Sequence, residues 1–216
     1  MTTNPFSSEA SSNPRRGQPR TGEHMTVEEY FRLDDLFPFV KYEFQDGQVR
    51  LMAGGTGEHD MIAFNTRAAI DLNFRSGPCF VRGADMRVLV EKSGAYFYPD
   101  CTVSCDVSDR RRGNRLIRSP RIVVGVLSPS TENDDRGKKL KAYQSVPTIQ
   151  EIVLIDQFAP HVEIYRRDED DETVWRHLVF EPNEEVELAS VDVRISFEEI
   201  YRGVKFDEPL LQDAQE

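Results

Sequence analysis

Cysteine, positive charge and long apolar runs are all scarce in this chain, and each shortage excludes a class of protein. Three cysteines in 216 residues, Cys79, Cys101 and Cys105, are too few for a disulfide framework. They read as structural thiols, and the spacing of Cys101 and Cys105 does not call for zinc. No apolar run approaches the roughly 20 residues that cross a bilayer, so no membrane partner is expected. Residues 1–24 are rich in Ser, Pro, Arg and Gly and lack the apolar centre of a signal peptide, so they read as a flexible tail and a cytoplasmic location follows as the default. With 27 basic against 38 acidic residues the net charge is −11, which repels a polyanion and argues against a sequence-independent nucleic-acid coat protein. The absence of an internal repeat sets solenoids and propellers aside.

What is present suits one soluble core. The hydrophobic share of 38% and charged share of 30% are those of an ordinary globular protein, and the length fits one domain, expected over residues 25–205, with an acidic tail at 206–216. Thr26-Val27-Glu28-Glu29 has capping-box spacing and opens a helix through about residue 36 that Pro38 ends. Gln45-Asp46-Gly47 joins strands 41–44 and 48–52 as a hairpin, because Asp-Gly accepts the positive backbone angles of a primed turn. Met61, Ile62, Ala69, Ile70 and Phe74 recur at helical spacing over residues 58–74. Strands are expected at 78–82, 85–91, 97–105 and 122–127, the last apolar throughout and so buried on both faces. A helix over 133–144 and a strand at 151–156 follow. An antiparallel meander over 161–166, 173–180 and 191–195 and a final helix capped by Ser196 complete an α+β, mixed α/β order with a central mixed sheet.

Two half-motifs stand out chemically. Tyr98-Pro99-Asp100 opens one strand, and Val123-Val124-Gly125-Val126-Leu127-Ser128-Pro129-Ser130 runs from a second strand into a turn. The basic helix start Asp135-Arg136-Gly137-Lys138-Lys139 comes next. Hydrolysis of a phosphodiester near neutral pH benefits from a divalent cation, and magnesium takes oxygen ligands, with only one or two carboxylates and several waters. Asp100 on one strand, position 125 on the next and Lys139 leaning back over the sheet edge have the layout of such a site. His59, at a helix start, and Arg136 and Lys138 are candidate phosphate ligands. Arg110, Arg111, Arg112, Arg115 and Arg118 crowd the loop before the second strand, either as a solvated face or as phosphate contacts beside the site. Read alone, Asp100 could satisfy a turn, Lys139 could be surface charge, and Asp135 could complement a helix dipole.

These fragments, with Tyr42-Glu43-Phe44-Gln45-Asp46-Gly47, Glu58-His59, Asp85-Met86-Arg87-Val88 and Tyr143, resemble the PD-(D/E)XK nuclease superfamily, and more closely its Uma-two family of restriction-endonuclease-like proteins. The resemblance covers roughly residues 25–204. It implies a restriction-endonuclease-like core acting on nucleic acid, DNA in the first instance, with magnesium or manganese. Asp100 matches the family's first metal carboxylate, Lys139 its lysine moved to the next helix, and Glu43 an additional acidic residue. The family carries Glu before Val-Leu-Ser-Pro-Ser, where this chain has Gly125. A cation would then rest on Asp100, Glu43 and the carbonyl of Val126, and would be weakly held. Two functions follow: a metal-dependent endonuclease weakened at position 125, or a lapsed nuclease fold that binds nucleic acid or protein. A homodimer is a further expectation.

Overall fold

Thr26 caps α1 (Val27–Leu36): its hydroxyl accepts from Glu29 N–H while the Glu29 carboxylate accepts from Thr26 N–H, which satisfies two orphan donors at once. Asp46 and Gly47 take φ 52° and 76° and close the hairpin of β1 (Tyr42–Gln45) and β2 (Gln48–Leu51). The structure is a computed structural model describing residues 19–52, 54–74, 77–129 and 131–206; the rest of the expected N-terminal tail, residues 1–18, and residues 207–216 of the acidic tail lie outside them. Within the described part of that tail, Gly22 N–H donates to Val49 O and Val49 N–H to Glu23 O. Residues 22–24 therefore run alongside β2.

Thr56 caps α2 (Gly57–Leu72), which buries Ile62, Ala69 and Ile70 as its spacing predicts. Met61 departs from that prediction and is 40% exposed. Next come β3 (Phe80–Gly83), β4 (Arg87–Val90), β5 (Ala95–Phe97) and β6 (Cys101–Ser104). The single strand expected over 97–105 is thus two strands in two sheets. Pro99 has no N–H to give a ladder, and the chain changes sheet across Tyr98-Pro99-Asp100. A short 3-10 turn (Val107–Arg110) and β7 (Leu116–Ile117) precede β8 (Pro120–Leu127).

The helix expected over 133–144 is also two pieces, α3 (Glu132–Asp135) and α4 (Lys138–Gln144). They meet at Gly137, where an added Cβ would lie 2.6 Å from Asn133 O. β9 (Glu151–Asp156), β10 (Val162–Arg167) and β11 (Trp175–Phe180) are followed by a separate pair, β12 (Glu185–Leu188) and β13 (Val193–Ser196), and by α5 (Phe197–Ile200) with its Ser196 capping box. Of the expected meander only β10 and β11 pair with each other, and the strand at 191–195 pairs instead with β12, which lies outside the expected strands.

The strand orders are β2-β1-β5-β4-β7 and β11-β10-β9-β8-β6-β3, with β12-β13 apart. The six-stranded sheet is mixed, since β8 and β9 run parallel and its other pairs antiparallel. Ile122, Val124 and Val126 of β8 face a core with Ile62, Ile70 and α5, while Val123 faces a second core with Leu140 of α4 and Val88 and Phe97 of the smaller sheet. Gly125 shares the Val123 face by alternation. Among the described residues no helix is long and apolar enough to cross a membrane.

Cys79 and Cys105 form a disulfide, which corrects the reading of all three cysteines as thiols. The β3–β6 register pairs Phe80 with Ser104, and one rung further sets Cys79 against Cys105; that pairing links residues 26 apart in sequence and has no local signature. Cys101 remains a buried free thiol. Thiol titration of the denatured, unreduced chain should find one reactive thiol, rising to three after reduction, in line with the three cysteines of the sequence; three before reduction would exclude the bridge.

Candidate nuclease-type site

The β6–β8 register pairs Cys101 with Val124; extended by one residue it sets Asp100 beside Gly125, on the face that Thr102 and Val123 share. Asp100 sits just before β6, so Val126 has no strand partner there and its N–H donates to Asp100 Oδ2 at 2.7 Å. The imidazole of His59, in the first turn of α2, covers the same edge. Its Nε2 lies 3.1 Å from Val126 O and 3.7 Å from Asp100 Oδ2. Thr56 holds this turn in place, accepting from His59 N–H and donating to Gln157 Oε1 at 3.0 Å.

Glu43 reaches the site from β1 of the other sheet. Its Oε1 accepts from Tyr98 N–H at 3.0 Å and from Lys139 Nζ at 2.7 Å. Lys139 also lies 3.4 Å from Asp135 Oδ1, one turn earlier. Burial alone would lower the Lys139 pKa, but Glu43, Tyr143 and Asp135 outweigh it and hold the ammonium above the ordinary lysine range. For Asp100 burial prevails, and its carboxyl is pushed up against the opposing pull of His59, Val126 N–H and Lys139. One turn beyond Lys139, the buried Tyr143 hydroxyl has no hydrogen-bond partner among the described residues. These groups line a cleft of about 1540 Å³.

The raised Asp100 pKa carries a stability prediction. A folded-state carboxyl above its unfolded value binds protons more readily folded than unfolded, so stability falls as pH rises through the window that starts at 3.8 and extends upward. Above that window the charged group is a net cost. Asp100→Asn should therefore stabilise the fold at pH 7 in urea denaturation, with the gain vanishing as the pH is lowered below 3.8.

Of the expected site residues, Asp100, Glu43, Lys139, His59, Gly125 and Val126 all line this one cleft. Arg136 does not join them. Its Nη1 binds both oxygens of Glu163 at 2.6 and 2.8 Å and its Nε binds Glu132 at 2.9 Å. Glu163 pairs with Leu154, which pairs with Gly125, so Arg136 is drawn two strands from the gap. Lys138 is exposed on α4. The arginines of residues 110–118 are not beside the site either, because they precede β8 and Gly125 lies near its other end. Tyr98 and Tyr143 also take part without a site role expected from sequence, and Asp135, expected as a helix-dipole partner, pairs with Lys139 instead; the spacing of four between Lys139 and both Asp135 and Tyr143 is the available signal.

Position 125 is open. A Cβ there would meet only Leu154 Cδ2, at 3.7 Å. Asp100, Glu43 and the Val126 carbonyl are oxygen donors of the kind magnesium accepts. Among the described residues, however, no group of three or more His, Cys, Asp or Glu side chains is placed to hold a metal ion. His59 already engages the carbonyl, and Lys139 and Tyr98 already engage Glu43. The set fits a hard cation in kind and is short of it in number.

Comparison with known proteins bears on family and fold. A family model, Uma2, described as "Putative restriction endonuclease", matches residues 27–198. Two uncharacterized Synechocystis proteins are similar over most of their length. One, slr1290, is 30% identical over 182 residues, covering 84% of this chain and 94% of its own. The other, sll1609, is 28% identical over 170 residues, covering 78% and 95%. The crystal structure of a protein from Anabaena variabilis, titled a putative nuclease belonging to DUF820, superposes with a TM-score of 0.66 at 19% identity over 82% of this chain and 97% of that one. At that identity the likeness is one of fold.

Proposed function

This chain belongs to the Uma2 family of putative restriction endonucleases, and on that premise we propose that its cleft takes the phosphodiester backbone of DNA and that its hydrolysis is strongly attenuated by Gly125. The supporting observation is the alignment of Asp100 with an empty position 125 beside the Glu43–Lys139 pair. A magnesium-type cation, when bound, would neutralise phosphate charge and lower the pKa of a water, and Asp100, Glu43 and the carbonyl of Val126 would hold it.

The remaining residues act without it. Lys139 brings ammonium donors to the cleft wall and, fixed by Glu43 and Asp135, can orient a phosphate oxygen or an attacking water. His59 can donate to a phosphate once it leaves Val126 O. Lys139 and Tyr98 N–H hold Glu43 through Oε1 alone, so the pair supports the cleft wall. The cytoplasm is the proposed setting.

The test is cleavage of plasmid DNA with magnesium or manganese by the wild type, Gly125→Glu and Asp100→Ala. Little or no wild-type cleavage and a gain in the Glu variant are expected. Vigorous wild-type cleavage that survives Asp100→Ala would overturn the site. Gly125 also favours a second reading, a nuclease fold retained for binding alone. Under that reading DNA binds in the presence of EDTA and Gly125→Glu adds no turnover.

A further inference from the structure

We propose that the loop of residues 110–118 is a second, noncatalytic nucleic-acid contact, gripping phosphates away from the cleft. It rests on the nucleic-acid reading only for the identity of the polyanion. Arg110, Arg111, Arg112, Arg115 and Arg118 lie within nine residues that contain no carboxylate, in a chain of net charge −11. All five are exposed. Elsewhere surface cations find acidic partners, as in Lys41–Asp85, Arg176–Asp168 and Arg194–Glu187. Among the described residues none of these five arginines forms an ion pair with a carboxylate. Five like charges against the two neighbouring carboxylates, Asp106 and Asp109, leave a net repulsion, which a bound polyanion relieves.

The loop is also built to hold them. Buried Asp109 accepts from Ser104 Oγ at 2.9 Å and from Arg118 and Ser119 N–H at 3.0 Å each. Asn114 spans the turn, donating to Asp109 O and Leu116 O and accepting from Leu116 N–H. Arg110 donates to Cys79 O at 2.9 Å and lies over the Phe80 ring. β7 then ties the loop to β4. A solvated charge run needs no such internal scaffold, whereas a loop backbone held in place presents its arginines to phosphates with less ordering cost.

This surface is distinct from the cleft. Gly125 is five residues beyond Pro120 at the start of β8, or about 17 Å along an extended strand. The span corresponds to several phosphates of one strand, which are about 3.4 Å apart along the duplex axis.

The experiment is fluorescence anisotropy in EDTA with the full chain and a labelled duplex of about 30 base pairs over a salt series. Among the described residues the side chains of Arg111, Arg112 and Arg115 make no hydrogen bond to the fold, so Arg111→Ala/Arg112→Ala/Arg115→Ala should fold as the wild type does, checked by its thermal midpoint. Its affinity should fall at least tenfold at low salt. Its slope of log affinity against log salt should shrink by about 2.7, at about 0.9 for each phosphate that the loop no longer neutralises. Lys92→Ala/Arg176→Ala/Arg194→Ala removes the same charge elsewhere and should leave the slope nearly unchanged. Equal losses in the two triple variants would reduce the effect to net charge and overturn the proposal, as would wild-type affinity in the loop variant. Binding of polyglutamate instead of duplex, with the same dependence on the three arginines, would overturn nucleic acid as the occupant. Failure of Gly125→Glu to cleave, with the loop dependence intact, would count against the cleft alone.

Discussion

Gly125→Glu is expected to raise metal-dependent cleavage of duplex DNA by at least about 100-fold over the wild-type chain, because a ligand that completes a cation site is worth several kcal/mol of charge stabilisation and each 1.4 kcal/mol is tenfold in rate. The substitution is sterically available. The added Cβ meets only Leu154 Cδ2, at an ordinary contact distance of 3.7 Å, and Gly125 lies outside the positive-φ residues, so no backbone strain results. Asp100→Ala in the same chain should remove the gain. Without metal, the new carboxylate joins Asp100, Glu43 and Asp135 in one cleft and should lower the thermal midpoint through like-charge repulsion. Manganese should then raise that midpoint more than it raises the wild type's, since a ligand that binds only the native state stabilises it. A folded Gly125→Glu that neither cleaves DNA nor responds to manganese would show that the missing carboxylate is not what silences the chain.

The parts of the fold that sequence exposes are those fixed within a few residues. Thr26 and Ser196 announce their helices because each cap is closed by a glutamate three residues on, and Asp46-Gly47 announces its hairpin because few other pairs accept both positive angles. The apolar run of β8 is legible for the same local reason. The errors fall where distant contacts decide. Hydropathy alone runs through Pro99, yet the chain there leaves one sheet for another. A polar helix start at residues 133–134 likewise points to one continuous helix through Gly137, where a carbonyl approaches too closely for any side chain. The Cys79–Cys105 bridge and the Arg136–Glu163 pair, with partners 26 and 27 residues apart, depend on strand register that composition does not carry. Asp100, Glu43 and Lys139, singled out from sequence, do line one cleft. Arg136 was misplaced because its charge was read without its partner.

Lys139→Met should destabilise the fold by about 3–5 kcal/mol, the usual consequence of leaving a buried charge without its partner. Glu43 is 8% exposed and spends one oxygen on Lys139 and Tyr98 N–H. With the ammonium gone, the Glu43 carboxylate keeps only the backbone donor and faces Asp135 and Asp100 across the same cleft. Glu43→Gln/Lys139→Met removes both charges, so its cost should be well below the sum of the two single substitutions when measured by urea unfolding at pH 7. Additive losses of less than about 1 kcal/mol each would identify the pair as a solvated surface contact. Lys139 would then be ordinary helix charge, with no claim on the cleft. The expected strong coupling has a functional corollary. A pair this dependent on itself holds Glu43 and Lys139 in place whether or not a cation is present, so the cleft keeps its shape when the position opposite Asp100 is empty. On the proposed function, a glycine at 125 would suppress turnover while leaving the fold and the cleft intact, and a glutamate there would need no repair elsewhere, since its Cβ meets only Leu154 Cδ2.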